Sequence, residues 1–291
     1  MLRMSRSAVI ILNWNSLEVT LECVAMVKAW ALPFLDVIIV DNASSTPQRE
    51  QLAAMEASDV TVLLNDANLG YAGGNNRGIR YACEHGYNTI LLLNSDAEIQ
   101  KESVLILYDA LARFPEAGVV GPLIYDENYE VLQNAGGLDI AFHDITHLKS
   151  PRHTLEPYVV DYVSGTVFLA RAEMFQCYGL LDEDYFFSGE IADFCYRCKS
   201  NSMIHPGARA SHNTRHSGRY RATLYTYYTV RNRYLYIRKN MSARKWNCYA
   251  LWWNTHARHA LTALRSGGWA EAGMVMRGVL DGMRNKIGAI G

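Results

Sequence analysis

The chain has 291 residues, 49% of them apolar and 11% aromatic, and its charged side chains (20%) balance to a net charge of −1. That length suits one large domain or one and a half, and the composition excludes a disordered or low-complexity chain. No stretch approaches the roughly 18 uninterrupted apolar residues of a membrane span, and the basic start runs into too short an apolar stretch for a signal peptide. A cytoplasmic chain is the expectation.

In chain order, Ala8–Leu12 reads as an all-apolar strand and Leu17–Trp30 as a helix with Leu17, Leu21, Val24 and Val27 on one face. Asp36–Val40 is the next strand, followed by a helix over Gln48–Ala57 and a strand at Val60–Leu64. The loop Asn65–Gly74 opens a helix to about Glu84, and Thr89–Leu93 is the fourth strand. A helix over Glu102–Phe114 and a short strand near Val119 complete this half. Strands apolar on both faces and separated by helices predict a mostly parallel sheet covered on both sides, with ligands bound at the strand C-terminal edge. That edge is polar: Asn13 and Asn15, Asp41-Asn42, Asn68-Leu-Gly70, and Asn94-Ser-Asp96. Turn chemistry alone would mix in more Gly and Ser, so the edge reads as a ligand site.

After Gly121 the pattern changes. Residues 122–170 hold hairpin-like stretches and a strand candidate, Tyr158–Val163, leading to Ser164-Gly165-Thr166. Gly179–Lys199 carries an acidic cluster of Asp182, Glu183, Asp184, Glu190 and Asp193. A last strand is predicted at Met203–Ala210 and a Tyr- and Arg-rich helix over Ala222–Lys239. From Arg244 the chain is amphipathic. Trp246, Ala250, Trp253, Ala257, Ala260 and Leu264 form one stripe, and Ser266-Gly267-Gly268 breaks it. Trp269, Ala272, Met276, Val279, Met283 and Ile287 form a second. Either these helices pack on the domain or their Trp and Arg residues contact a membrane surface. The near-zero charge hides an asymmetry: residues 205–291 balance to +13 and residues 1–204 to −14. The basic half suits an anionic partner; it lacks a nucleic-acid recognition motif, so nucleic acid is not expected.

The run Asn68-Leu-Gly70-Tyr-Ala-Gly73-Gly74-Asn75-Asn76-Arg-Gly78 follows a strand and opens a helix, where glycines let backbone N–H groups approach a phosphate or sugar. Its spacing does not fit the GxGxxG dinucleotide fingerprint, and it follows the third strand instead of the first. Asp96, at a strand end, is where Mg²⁺ or Mn²⁺ on a diphosphate would be held. The six cysteines read as reduced thiols, and Cys195-x-x-Cys198 as two helix residues. His143, His147 and His153 are expected in a solvated loop, and His256 and His259 on a helix surface. Tyr225, Tyr227, Tyr228, Tyr234 and Tyr236 read as core packing in preference to acceptor stacking.

Taken together, the pieces resemble glycosyltransferase family 2, a family with the GT-A fold. They are Val9-Ile-Ile-Leu-Asn13-Trp-Asn15, Val40-Asp41-Asn42-Ala43-Ser44-Ser45, the glycine run, and Leu93-Asn94-Ser95-Asp96 in the place of the metal-binding DxD. Ser164-Gly165, Gly179-Leu-Leu-Asp182-Glu183-x-Tyr-Phe186-Phe187, Glu190-x-x-Asp193-x-x-x-Arg197, His212 with Ser217, and Tyr228-x-x-Arg231-Asn232 follow in order. The nearest branch in pattern is the rhamnosyltransferase-like group that builds bacterial surface polysaccharides. The resemblance implies a GT-A domain over 1–240, with 7–121 as the nucleotide-sugar half and 122–240 as the acceptor half, and a helical extension over 241–291.

It further implies that Asn13, Asn15 and Asp41 hold the nucleoside and that Asn68, Gly70, Gly74 and Asn75 support the nucleotide and donor sugar. Asn94 and Asp96 would face the diphosphate, Asp96 and His212 would ligate a divalent cation, and Arg231 would neutralise the leaving diphosphate. Two departures stand out. Asn94 replaces the first carboxylate of DxD, and Ile191 stands where the family often has its catalytic Asp, so the base role passes to Glu190, then Asp193. A carboxylate that takes the acceptor hydroxyl's proton typically contributes ~10²–10⁴-fold; the alternative for both acids is a solvated helix face. The implied reaction is inverting transfer from a UDP-, dTDP- or GDP-sugar to a glycan or lipid-linked glycan at the inner face of the membrane. A nucleotidyltransferase would need a basic loop after the first strand, which residues 13–20 lack, and a degenerate, non-catalytic nucleotide-sugar-binding protein is the other rival.

Overall fold

The computed structural model describes residues 6–144, 146–198, 201–213 and 219–290; Ser217 lies outside them. Strands β1 (Ser7–Asn13), β2 (Leu35–Asp41), β3 (Val60–Leu64) and β4 (Thr89–Asn94) alternate with helices α1 (Leu17–Ala29), α2 (Thr46–Ala53) and α3 (Gly70–Glu84). Beyond them lie β5 (Ala97–Ile99), α4 (Lys101–Arg113), β6 (Ala117–Tyr125), β7 (Leu132–Asn134), β8 (Tyr158–Val160), β9 (Val167–Arg171), α5 (Ala172–Tyr178), α6 (Glu190–Arg197) and β10 (Asn201–His212). The chain then turns helical, through α7 (Arg219–Asn240), α8 (Lys245–Arg265) and α9 (Trp269–Met283).

One sheet runs in the order β3-β2-β1-β4-β9-β6-β10-β5, with β7 on β6 and β8 on β10. The first four strands are parallel, as their two-sided apolar runs predict. Ala8 and Ile10 of β1 face one core, Val9 and Ile11 the other, and all four are fully buried. In register, Asn13 lies opposite Asp41, and Leu12 opposite Asn94, so the polar strand ends reach one edge together. Strands β5 and β9 and helix α5 were not expected. β5 is three residues long, and β9 is an antiparallel insert between β4 and β6, so neither presents an extended pattern.

Strand β10 runs parallel to β6 on both sides of a bulge. His205 pairs with Pro122 and Arg209 with Leu123, leaving Pro206, Gly207 and Ala208 as extra residues. Beyond the bulge β10 also pairs with β5, where Ala210, Ser211 and His212 lie opposite Ile99, Glu98 and Ala97.

The C-terminal helices pack on the domain; α9 does so partly along the expected stripe, burying Ala272 and Val279, but α8 uses a different one. α8 buries Cys248, Tyr249, Trp252, His256, Ala260 and Ala263. The Trp252 indole N–H donates to the Ala141 carbonyl at 2.7 Å, and its ring lies 3.6 Å from the Arg233 guanidinium. That anchoring turns Trp246 and Trp253 outward. α9 crosses α7 on small residues: a Cβ at Gly278 would lie 2.9 Å from the Tyr227 carbonyl, and one at Gly282 2.7 Å from that of Arg231. His256 is buried, contrary to expectation. It stacks on Trp252, and burial, with Arg233 nearby, lowers its imidazole to about 3. His147 is likewise partly buried, whereas His143, His153 and His259 are exposed as expected. Of the tyrosine band only Tyr225 is exposed; the other four are core residues. All six cysteines are free thiols, with Cys195 and Cys198 buried. Among the described residues no helix is long and apolar enough to cross a membrane.

Candidate active site

The polar edge is a hydrogen-bonded frame. Asn13 is fully buried; its amide donates to Asp41 Oδ1 (2.9 Å) and Ser44 Oγ (3.0 Å), and its oxygen accepts from Thr20 Oγ1 (2.8 Å). Asp41, also fully buried, accepts the Ser44 backbone N–H at 3.1 Å with its second oxygen. Neither side chain has surface to offer a nucleoside. The structure therefore gives them the walls of the turns in place of the expected direct contact. Asn15 is exposed at φ 51°, its N–H donating to Ser44 Oγ and its Oδ1 accepting from the Ser45 N–H. Asn42, flagged only as part of the strand end, is the hub. Its amide donates to Asn68 Oδ1 (2.9 Å) and the Gly70 carbonyl (3.0 Å), and its oxygen accepts from Asn65 Nδ2 and the Leu69 N–H.

The glycine run does different work from that expected. Helix α3 begins at Gly70, so the glycines lie inside it. A Cβ on Gly74 would meet Leu12 Cδ1 at 2.5 Å, and one on Gly78 would meet Ile10 Cγ2 at 2.7 Å. Glycine there lets the helix lie against β1. Gly70, at φ +70°, leaves room for Phe186, whose carbonyl would be 2.2 Å from a Cβ and which accepts the Tyr71 N–H at 2.7 Å. Asn75 is buried and donates to the Tyr71 carbonyl one turn back. Asn76, not singled out, grips the Leu181 backbone through both N–H and carbonyl. The run thus docks the 181–187 loop onto α3.

At the end of β4, Asp96 meets His212. His212 Nε2 lies 3.2 Å from Asp96 Oδ1, brought there by the β5–β10 pairing. A cavity of about 390 Å³ opens beside them, lined by Cys23, Ser95, Asp96, Glu98, Ser211 and Asn213 among others. Asn94 N–H is committed to the Thr166 carbonyl at 3.0 Å. Among the described residues no group of three or more His, Cys, Asp or Glu gathers as a metal cage. One carboxylate and one imidazole nonetheless fit an ion that takes its remaining ligands from a diphosphate and water.

Glu190 opens α6. It is buried, and its Oε2 has no hydrogen-bond partner. Burial pushes its carboxyl up to about 7, with the Asp193 charge adding to the effect. A solvated helix face is excluded for both acids. Asp193, the second choice as base, is committed elsewhere: it accepts from Arg197 Nε (2.7 Å), Asn240 Nδ2 (2.8 Å) and the Tyr185 hydroxyl (3.2 Å). Ile191 packs in the core beside Gly165. Tyr71, which the sequence reading missed, donates its hydroxyl to the Gly165 carbonyl at 2.7 Å. Burial above all, with the charges of Glu190 and Asp96 adding to it, holds it protonated, and the Gly165 it caps packs beside Ile191, the residue after Glu190.

Arg231 requires a correction. It is fully buried, and its guanidinium donates to the carbonyls of Tyr185 (2.7 Å), Asp184 (3.3 Å) and Gly288 and to Asn232 Oδ1 (2.8 Å). So placed, it supports the loop before Glu190 and has no free edge for a diphosphate.

Residues 8–179 match the family described as glycosyl transferase family 2. The low-salt glycan biosynthesis hexosyltransferase Agl10 of Haloferax volcanii is 29% identical over 67% of this chain and 62% of its own. N-acetylglucosaminyl-diphospho-decaprenol L-rhamnosyltransferase of Mycobacterium tuberculosis is 29% identical over 63% of this chain and 68% of its own. The chain thus spans about six-tenths of the first relative and two-thirds of the second. Among solved structures, mannosyltransferase PcManGT of Pyrobaculum calidifontis, in complex with GDP-Man and Mn²⁺, superposes over 98% of this chain and 89% of its own (TM-score 0.61, 13% identity). S. aureus TarS 1-349 with UDP-GlcNAc does so over 97% and 81% (TM-score 0.62, 15% identity).

Proposed function

The chain belongs to glycosyl transferase family 2, and on that premise we propose that it transfers a hexose, rhamnose or a similar sugar, from a nucleoside-diphosphate donor to a hydroxyl of a glycan acceptor, with inversion at the anomeric carbon. The observation that carries this reading is Glu190: a buried carboxylate at the start of α6 with one oxygen unpartnered. A carboxyl lifted to about 7 is half ionised near neutral pH, where a general base works best. As the acceptor hydroxyl attacks, its proton passes to Glu190 Oε2. Asp96 and His212 would hold a Mg²⁺ or Mn²⁺ ion, which when bound offsets the charge gathering on the departing diphosphate. The frame around Asn13, Asp41 and Asn42 fixes the turns facing the nucleotide, with Asn15 and Asn68 at its rim. That the relatives carry rhamnosyltransferase and hexosyltransferase names supports the donor class, and the diphospho-decaprenol in one name supports a lipid-linked acceptor.

We place the protein at an anionic membrane face through 245–291. Trp246, Trp253 and Trp269 are exposed on helices whose only acids are Glu271 and Asp281, against Lys245, Arg258, Arg265 and Arg277.

The test is transfer or hydrolysis of UDP-, dTDP- and GDP-sugars with Mn²⁺, wild type against Glu190→Gln, with and without chelator. Loss of turnover in the variant and on chelation supports the reading. Equal rates remove Glu190 from the mechanism, and no turnover with any donor favours a non-catalytic binding protein.

A further inference from the structure

Three of the four residues before Glu190 have left-handed backbone: Phe186 (φ 61°), Ser188 (φ 69°) and Gly189 (φ 100°). The Phe187 N–H donates to the Tyr185 carbonyl at 2.7 Å, closing a three-residue turn on Phe186 at φ 61°, ψ −55°, the rare strained form of that turn. Such backbone persists only where its surroundings hold it.

Two holders come from elsewhere in the chain. The first is on α7. The Asn232 amide faces the carbonyls of Tyr185 (3.0 Å), Phe187 (2.8 Å) and Ser188, and Arg231 Nε fixes its orientation through Asn232 Oδ1. The second is the strap after α9. The Gly288 N–H donates to the Asp184 carbonyl at 2.8 Å, the Gly288 carbonyl accepts from Arg231 Nη1, and the Ile290 N–H donates to the Tyr228 hydroxyl at 2.8 Å. Arg231 is therefore shared between loop and strap. Lys239 closes the outer side by pairing with Asp182 and with Asp184 (2.7 Å).

We infer that Arg231, Asn232 and the Gly288 strap are positioning residues for Glu190: together they hold the loop that sets where its carboxylate stands. The same loop also holds Tyr71 through the Phe186 carbonyl, so a shift moves both groups that border the reaction space. This rests on the reading of Glu190 as the base.

Arg231→Ala would bury unpartnered carbonyls and put folding itself at stake, so the principal variant is Gly288→Pro. It removes the N–H given to Asp184 and cannot adopt φ +73°. Arg231→Lys is the second variant. Hydrogen exchange on the full chain is expected to rise about tenfold over residues 185–190 while β1 and β4 stay unchanged. Transfer by the same variants should show kcat lower by about 10- to 100-fold. Donor KM should hold within about twofold, since a chemical-step loss leaves uniform binding intact. The ionisation near 7 should move toward the ordinary carboxylate range as water reaches Glu190. Unchanged exchange over 185–190 overturns the inference, whatever the activity. If Glu190→Gln abolishes transfer yet Gly288→Pro leaves kcat and the pH profile untouched, the inference falls while the proposed function stands. If Glu190→Gln keeps full activity, Glu190 is not the base although transfer stands, and exchange alone judges the clamp.

Discussion

Replacing Glu190 by Gln should stabilise the protein at alkaline pH and leave it nearly unchanged in acid. The folded state holds this carboxyl's proton up to about 7, against an ordinary value of 4.5. At about 1.4 kcal/mol per pH unit, ionising it in place costs roughly 3 kcal/mol. The sign follows from which state binds the proton more tightly. Below about 4.5 the group is neutral folded and unfolded, and its site carries no penalty. As pH rises toward 7 the unfolded chain gains by ionising while the folded one does not, so this contribution is lost, and above about 7 the loss is complete. Gln keeps the shape and removes the titration. Urea unfolding followed by tryptophan fluorescence at pH 4.5, 6 and 8 should show the variant gaining roughly 3 kcal/mol on wild type between the ends of that range. A difference between the proteins that does not change with pH would refute the placement of Glu190 in a dry, unpaired site. The same ionisation should appear as the acid limb of kcat/KM, falling about tenfold per pH unit below 7.

Two further outcomes follow from the packing. Gly70→Ala and Gly86→Ala both force alanine into positive φ, but only at Gly70 would the new Cβ strike a neighbour, the Phe186 carbonyl. Thermal unfolding should show about 1 kcal/mol lost at Gly86 and roughly 2–3 at Gly70; equal losses would mean that α3 does not hold the loop. Replacing the exposed Trp246 and Trp269 together by Ser should cut co-sedimentation with phosphatidylglycerol vesicles by about tenfold or more at 0.1 M salt without lowering Tm. Undiminished sedimentation would remove these helices from the membrane.

Much of the fold was legible because the parallel strands are apolar on both faces. β1 to β4 differ from the expected spans by a residue or so at each end. The convergence of Asp96 and His212 was also legible, from motif order. Less legible was what the polar residues at the edge do. Asn13, Asp41 and Asn75 carry hydrogen-bonding groups suited to a ligand, and the same groups satisfy buried turns equally well; only coordinates tell the two apart. Arg231 went astray for the same reason, since a guanidinium that could face phosphate also fits a cluster of loop carbonyls. In the C-terminal helices the stripe on α8 was drawn one position off, through Trp253 in place of the buried Trp252. The true interface with α7 is built of small residues, Gly278 and Gly282, which periodicity in bulk does not register.

The bulge in β10 determines which of its side chains meets Asp96. Its three extra residues are an odd number, and in a strand an odd insertion reverses which side chains face which way. Removing one residue between His205 and Arg209 would carry Asn213 to the position opposite Ala97 now held by His212 and turn the imidazole away. At this corner the number of residues, and not their identity alone, sets whether the imidazole meets its carboxylate.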